Sequence, residues 1–161
     1  MQTTEIQVPH FAKIVECKKT GEKALHATTA FMPGELFSTF GAKKIYTEPN
    51  YLTVQKSDYE HIMLDPEFLQ YINHGCEPNV HFNPIKGTVT VLQKINPGDE
   101  LTFFYPSTEW SMDQGFDCRC NSTKCLGCIK GAAYISLEIL STYQLSPYIQ
   151  ERLRREKLKS N

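Results

Sequence analysis

The sequence predicts a mostly β protein with short helices, its strands gathered into small twisted sheets and its C-terminal end helical. Three observations carry that expectation. Pro and Gly punctuate the chain at short intervals, at Pro9, Gly21, Pro33-Gly34, Gly41 and Pro49, which leaves room only for short strands between turns. The intervening runs, such as Phe11-Ala12-Lys13-Ile14-Val15 and Glu35-Leu36-Phe37-Ser38-Thr39-Phe40, suit a pleated, half-buried surface. Beyond Cys128 the texture changes to apolar residues spaced by four, the period of a helix.

The elements follow in order. Asp65-Pro66 reads as a helix start, with Asp as N-cap and Pro at the first helical position. Val80-His81-Phe82-Asn83 and Thr88 to Ile95 flank the turn residues Pro84 to Gly87, a hairpin whose Thr88-Val89-Thr90-Val91 alternates like a half-buried strand. Asn96-Pro97-Gly98-Asp99 supplies a tight turn, and Glu100 to Tyr105 reads as the strand after it. Ala132 to Gln144 reads as a helix through Ile135, Ile139 and Tyr143. Ser146-Pro147 opens another, ending in a tail of five basic and two acidic residues, ERLRREKLKSN. That tail is either a solvated face or a docking surface for an acidic partner.

Composition bounds the function classes. The 161 residues are 40% apolar and 22% charged, which excludes wholesale disorder. Lys plus Arg is 17 against 18 Asp plus Glu, a net charge of −1. That balance excludes nucleic-acid binding by bulk positive charge, so no direct nucleic-acid partner is expected. The N-terminus lacks the apolar core of a secretory signal, and no run is long enough to span a bilayer. An intracellular, monomeric protein is expected, with its six cysteines as thiols or metal ligands rather than disulfides.

Four of the six cysteines crowd into FDCRCNSTKCLGCIKG: Cys118, Cys120, Cys125 and Cys128. Thiolates this dense form a soft-ligand site, for which tetrahedral zinc is the usual occupant. The tight Cys-x-Cys start differs from common ferredoxin spacings. Cys128 or a distant Cys completes the set.

Residues 73–79 read NHGCEPN and residues 98–105 read GDELTFFY. Together with the Cys-rich segment, these pieces closely resemble the SET-domain protein-lysine methyltransferases. That family carries Asn-His-x-Cys-x-Pro-Asn, then Gly-[Asp/Glu]-Glu-Leu-Thr-x-x-Tyr, then a post-SET Cys-x-Cys-x(4)-Cys. Glu22 to Ala27 followed by Pro33-Gly34-Glu35 is similar to a degraded form of the family's N-terminal motif. The resemblance covers about residues 8–131 and implies a SET-domain β-clip of small twisted sheets with a pseudoknot at Pro78-Asn79. It divides the chain into a SET domain (1–111), a zinc-binding post-SET segment (112–131) and a C-terminal helical extension (132–161).

The resemblance also implies a site. S-adenosylmethionine is the cofactor, bound around Lys23, Ala24, Leu25, Asn73, His74 and Tyr105, with Ile129 packing on its adenine. Zinc is held by Cys76, Cys118, Cys120 and Cys125, with Cys128 in place of Cys76 as the alternative. Tyr105 is the catalytic hydroxyl. Phe103 occupies a position where a Tyr would stop methylation early, so di- or trimethylation is expected. The implied reaction is N-methylation of a lysine in a protein or peptide. In-line attack on a sulfonium methyl needs positioning and an uncharged amine, whereas free lysine titrates near ~10.4.

Departures qualify the substrate. Ala24 replaces a glycine, Gln70 a frequent Arg and Phe104 a common acidic residue, and the insert at residues 45–70 is short. That insert builds much of the family's peptide groove, so two alternatives stand. One is methylation of a free amino acid or small amine; the other is a catalytically weak zinc-binding interaction module. No Gly-x-Gly occurs, which excludes the Rossmann-type cofactor loop.

Overall fold

The structure is a computed structural model that describes residues 6–159. The start of the N-terminal stretch and the last two residues of the basic tail lie outside the described residues. In chain order the strands are β1 (Ala12–Glu16), β2 (Lys23–Ala27), β3 (Leu36–Thr39), β4 (Gly41–Tyr46), β5 (Thr53–Ser57) and β6 (Glu60–Asp65). Then come a 3-10 turn at Glu67–Tyr71, β7 (Asn73–His74), β8 (Val80–Asn83), β9 (Thr88–Val91), β10 (Thr102–Phe103) and a 3-10 turn at Tyr105–Ser107. β11 (Phe116–Asp117) and β12 (Cys128–Ile129) precede a 3-10 turn at Ala132–Tyr134 and the helices α1 (Leu137–Leu140) and α2 (Pro147–Lys159).

The strands form small separate sheets, as the turn spacing requires. β1 pairs with β2, β3-β9-β8 and β4-β6-β5 form three-stranded antiparallel sheets, and β11 pairs with β12. The expected hairpin is present as β8 and β9, with Val80 opposite Val91 and Asn83 opposite Thr88. Val89 and Val91 are buried while Thr88 and Thr90 are half-buried, so the alternation does what the sequence suggests. Gly98, at φ +93, makes the Asn96–Asp99 turn, closed by Asp99 N–H to the Asn96 carbonyl at 3.0 Å.

β7 and β10 are the exception to the antiparallel rule. Asn73 lies opposite Thr102 and His74 opposite Phe103, in parallel register. Asn79 fastens the crossing. Its Oδ1 accepts from Thr102 N–H at 2.9 Å, its Nδ2 donates to the Glu100 carbonyl at 2.9 Å, and its own N–H reaches the Thr102 carbonyl at 3.1 Å. One side chain thus supplies the ladder partners that a longer neighbouring strand would provide.

Four local expectations need correction. Asp65 does not cap a helix: Pro66 is itself the extended residue before a 3-10 turn with no side-chain cap. The second hairpin strand ends at Val91, short of Ile95. The strand after the Gly98 turn has only Thr102 and Phe103, because Tyr105–Ser107 coils at Pro106. Ala132 to Gln144 is broken rather than one helix. The N–H groups of Ala132 and Ala133 bond to the Glu109 and Trp110 carbonyls, and Ser136 then caps α1 through Ile139 N–H. Ser146 caps α2 as expected, accepting from Ile149 N–H at 3.2 Å.

Phe103, in β10, and Phe104, the extended residue just after it, belong to different cores and divide the interior. Phe103 joins the main core with Leu25, Leu69, Ile72, Phe82, Val89 and Leu101. Phe104 joins a second core with Ala132, Leu140, Tyr148 and Ile149, and stacks on Tyr143 at 3.7 Å between ring centroids. The C-terminal extension is therefore packed on the back of β10. Among the described residues no helix is long and apolar enough to cross a membrane.

Asp58, at the β5–β6 turn, anchors α2. It accepts from Tyr148 Oη at 2.9 Å, Arg152 at 3.2 Å and Arg155 at 2.9 Å and 3.0 Å. The Arg155 hydrogen bonds hold its carboxyl down at about 2, below the ordinary 3.8. A depressed carboxyl stabilises the fold above its unfolded pKa and ceases to do so as pH falls toward its folded pKa. Asp58→Asn should therefore lower the melting temperature at neutral pH, with the difference from wild type closing as pH falls from 3.8 toward about 2. Thermal unfolding followed by circular dichroism across that range checks it.

Candidate active site

The site assembles where β7 crosses β10. Asn73 Nδ2 donates to the Lys23 carbonyl at 3.0 Å and so ties β7 to β2. His74, buried at 9% exposure, turns its ring inward among Phe104, Tyr105 and Phe116. Its Nδ1 accepts the Tyr105 backbone N–H at 3.1 Å. A backbone amide only donates, so that nitrogen carries no proton. Burial pulls the His74 pKa down to about 4, leaving the ring neutral. Its single proton therefore sits on Nε2, which faces Cys76 Sγ at 3.3 Å. One imidazole thus spans from the strand end that carries Tyr105 to a cysteine sulfur.

Gly75 separates the two residues for a steric reason. A Cβ there would stand 2.7 Å from Thr102 Oγ1 and 2.8 Å from Thr102 Cβ, so the close strand crossing requires glycine.

Cys76 joins the C-terminal cysteines. The sulfurs of Cys76, Cys118, Cys120 and Cys125 all lie within 4.8 Å of one another, with Cys76 and Cys118 at 3.9 Å. Tetrahedral zinc with bonds of about 2.3 Å places its sulfurs roughly 3.8 Å apart, so the cluster fits that ion. Asn121 at φ +60 and Gly127 at φ +79 fold the segment back on itself, and Cys118 N–H closes onto the Gly127 carbonyl at 2.7 Å. Leu126 N–H points at Cys76 Sγ at 3.4 Å, a donor suited to a thiolate. Cys128 sits outside the cluster, exposed in β12 opposite Asp117, and Cys17 is exposed far from it in sequence.

Two cavities flank Tyr105. The larger, about 1320 Å³, is lined by Lys23, Asn73, His74, Glu100 and the Cys118–Ser122 segment. The smaller, about 270 Å³, is lined by Val54, Leu69, Ile72, Phe103, Glu109 and neighbours. Tyr51, Tyr105 and Phe116 line both. Tyr105 Oη reaches toward the Ile72 carbonyl at 3.4 Å, and its ring packs on Phe103 at 4.6 Å. Burial, reinforced by the charge of Glu109, raises its pKa above the ordinary phenol value, so it stays a neutral hydroxyl.

The other cofactor candidates are placed differently. Leu25 and Ile129 are fully buried, and Ala24 lines neither cavity. Sequence reasoning missed Phe116 and Glu109. Phe116 stands beside the cysteine motif but carries no motif of its own, and Thr108-Glu109 reads as an ordinary polar loop.

Comparison with known proteins agrees with this architecture. A family model, the SET domain, matches residues 6–106. The chain belongs to the SET domain family. Methyltransferase flvH of Aspergillus flavus is 34% identical over 90% of this SET chain and 82% of its own length. Histone-lysine N-methyltransferase ash1 of Drosophila melanogaster is 34% identical over 38% of the chain, but only 3% of that protein. The fold matches the crystal structure of KRYPTONITE in complex with mCHH DNA, an H3(1-15) peptide and SAH, with a TM-score of 0.57 and 18% identity. The match covers 73% of this chain and 29% of that one. The SET chain is thus a methyltransferase by family, with a four-cysteine cluster compatible with a metal.

The cluster sets a stoichiometry. Purified protein should bind one zinc per chain, and Cys118→Ser should lose that tight site while Cys128→Ser keeps it. Metal analysis after gel filtration, with thiol titration on chelation, checks both.

Proposed function

We propose that this SET methyltransferase transfers a methyl group from S-adenosylmethionine to the amine of a lysine in a protein or peptide. The observation that carries the reading is the shared wall: Tyr105 faces both the larger cleft and the smaller apolar cavity. A donor in the first and an amine in the second meet across one hydroxyl.

S-adenosylmethionine supplies a methyl group activated by a sulfonium. Lys23, Asn73 and His74 form the wall of the cleft that takes it, while Leu25 and Ile129 back that wall from the core. Tyr105, held as a neutral phenol, orients the amine and does not act as a phenolate base. Phe103 puts a ring without a hydroxyl into the amine cavity, which supports transfer of more than one methyl. Cys76, Cys118, Cys120 and Cys125 would hold a zinc ion with four thiolates and leave no open position for chemistry, so its part would be structural. Those four cysteines would then fasten the segment that follows Phe116 against the cleft.

A second reading has its own support. The region between β4 and Asn73 is only a hairpin and a 3-10 turn, and the amine cavity is about 270 Å³. That volume suits a free amino acid or a small amine as well as a lysine side chain. Methyl-transfer assays in which free lysine competes with a lysine peptide decide between the two: the first reading requires the peptide to win.

Tyr105→Phe should lower methyl transfer by about a hundredfold or more, the scale of a well-placed proton or hydrogen-bond donor. Affinity for S-adenosylmethionine, measured by calorimetry, should stay within a few-fold of wild type. Full activity in Tyr105→Phe would sink the assignment.

A further inference from the structure

Glu109 is a carboxylate for which methyl transfer as described has no use, yet it lines the amine cavity with Tyr105 and Phe103 at only 7% exposure. Its position is fixed. Glu109 N–H bonds to the Tyr105 carbonyl at 3.0 Å, and its own carbonyl accepts Ala132 N–H at 2.9 Å. Both donors to the side chain converge on one oxygen: Gln55 N–H at 2.9 Å and Thr108 Oγ1 at 2.6 Å reach Oε2. Among the described residues Oε1 accepts no hydrogen bond, and no Lys, Arg or His pairs with this carboxylate.

A carboxylate kept only to join β5 to the 105–110 segment would be satisfied by the two donors on Oε2. The second oxygen is left to whatever enters. A lone buried charge is costly and seeks either a proton or a cation. Burial accordingly pushes its pKa up to about 7, against the opposing hydrogen bonds of Thr108 and Gln55. The other titratable groups lining the cavity are Tyr51, Tyr105 and Asp113, and the Arg152 guanidinium lies on the neighbouring Trp110 ring at 4.7 Å.

We propose that Glu109 binds the ammonium of the incoming amine through Oε1 and takes its proton, delivering the neutral nucleophile. The inference rests on the methyl-transfer reading for its chemistry but not for its binding site. An alkylammonium and a carboxylate become an amine and a carboxylic acid. The amine nitrogen then forms the N–C bond as the donor's S–C bond breaks, the electron pair staying on sulfur. The proton held by Glu109 is the one the overall reaction releases to solvent. Free lysine, near ~10.4, is a weaker acid than this carboxyl. Inside an apolar cavity, however, exchanging two charges for two neutral groups favours the transfer.

Two measurements test it. The first is kcat/KM for methyl transfer against pH, in wild type and Glu109→Gln. Wild type should be level from just above neutrality toward the amine's own pKa. Glu109→Gln should instead rise about tenfold per pH unit, because only amine already neutral in solution then reacts. A level profile in the folded variant would overturn the proposal. The second is calorimetry of n-butylamine at about pH 8 in two buffers of different ionisation enthalpy. Wild type should bind without releasing a proton to buffer, whereas Glu109→Gln should release about one per amine. One proton released by wild type overturns the proposal even if the variant does not fold. Proton-silent binding by wild type without methyl transfer to any amine would instead sink the proposed function and leave the binding site standing.

Discussion

The parallel pairing of two residues, Asn73-His74 against Thr102-Phe103, is the contact on which the rest depends. So short a ladder cannot hold itself, and parallel pairs are weaker per residue than antiparallel ones. It is held from three sides. Asn79 supplies missing ladder partners, Gly75 permits the close approach to Thr102, and His74 bridges the end of β10 to Cys76. Because the imidazole accepts on one nitrogen and donates on the other, the strand crossing and the cysteine cluster are set by the same ring. The Cys76 sulfur and the backbone of Tyr105 are thereby joined through one side chain, with no intervening loop.

The C-terminal extension closes the arrangement from behind. Tyr143 Oη donates to the Cys76 carbonyl at 2.7 Å while its ring stacks on Phe104. At the other end α2 grips the β5–β6 turn through Asp58, and Arg152 lies on Trp110. Trp110 N–H in turn bonds to Gln55 Oε1 at 3.0 Å, next to the Gln55 N–H that holds Glu109. The extension thus contacts the cysteine cluster directly, through Tyr143, and the Gln55 strand that holds Glu109 by way of Trp110. Its basic residues are largely engaged in these and local pairs: Arg152 with Glu156 and Arg154 with Glu151. That accounts for much of a tail that in sequence looks like a free charged face.

What was legible in the sequence follows from range. The β8–β9 hairpin and the Gly98 turn are local, and their turn residues and alternation announce them. The cysteine cluster was legible because crowded thiols suit a soft metal, and Cys76 because a motif ties it to distant partners. The helix expected over Ala132 to Gln144 had the right period, but Glu109 and Trp110 offered its first N–H groups carbonyl partners from another part of the chain. Strand length after Gly98 was misread because the apolar run Leu101 to Tyr105 serves two cores, not one sheet face. Glu109 had no signal at all. Its significance lies in burial and in which of its oxygens is used, neither of which a sequence encodes locally.

The electrostatics of the cavity assign different parts to Tyr105 and Glu109. A phenol raised above its ordinary pKa cannot take a proton from an ammonium near neutral pH, since it is already protonated and its conjugate base is disfavoured. It can only donate or accept a hydrogen bond and fix a direction. The carboxyl at about 7 is the one group lining this cavity whose raised pKa places its change of charge near neutrality. The two are coupled, because the charge on Glu109 is part of what keeps Tyr105 protonated. Burial is the largest cause raising both pKa values, yet with opposite consequences. It holds the phenol in one state and brings the carboxyl to the edge between two. Orientation and proton acceptance can therefore reside on residues four apart in one short turn without competing for the same proton.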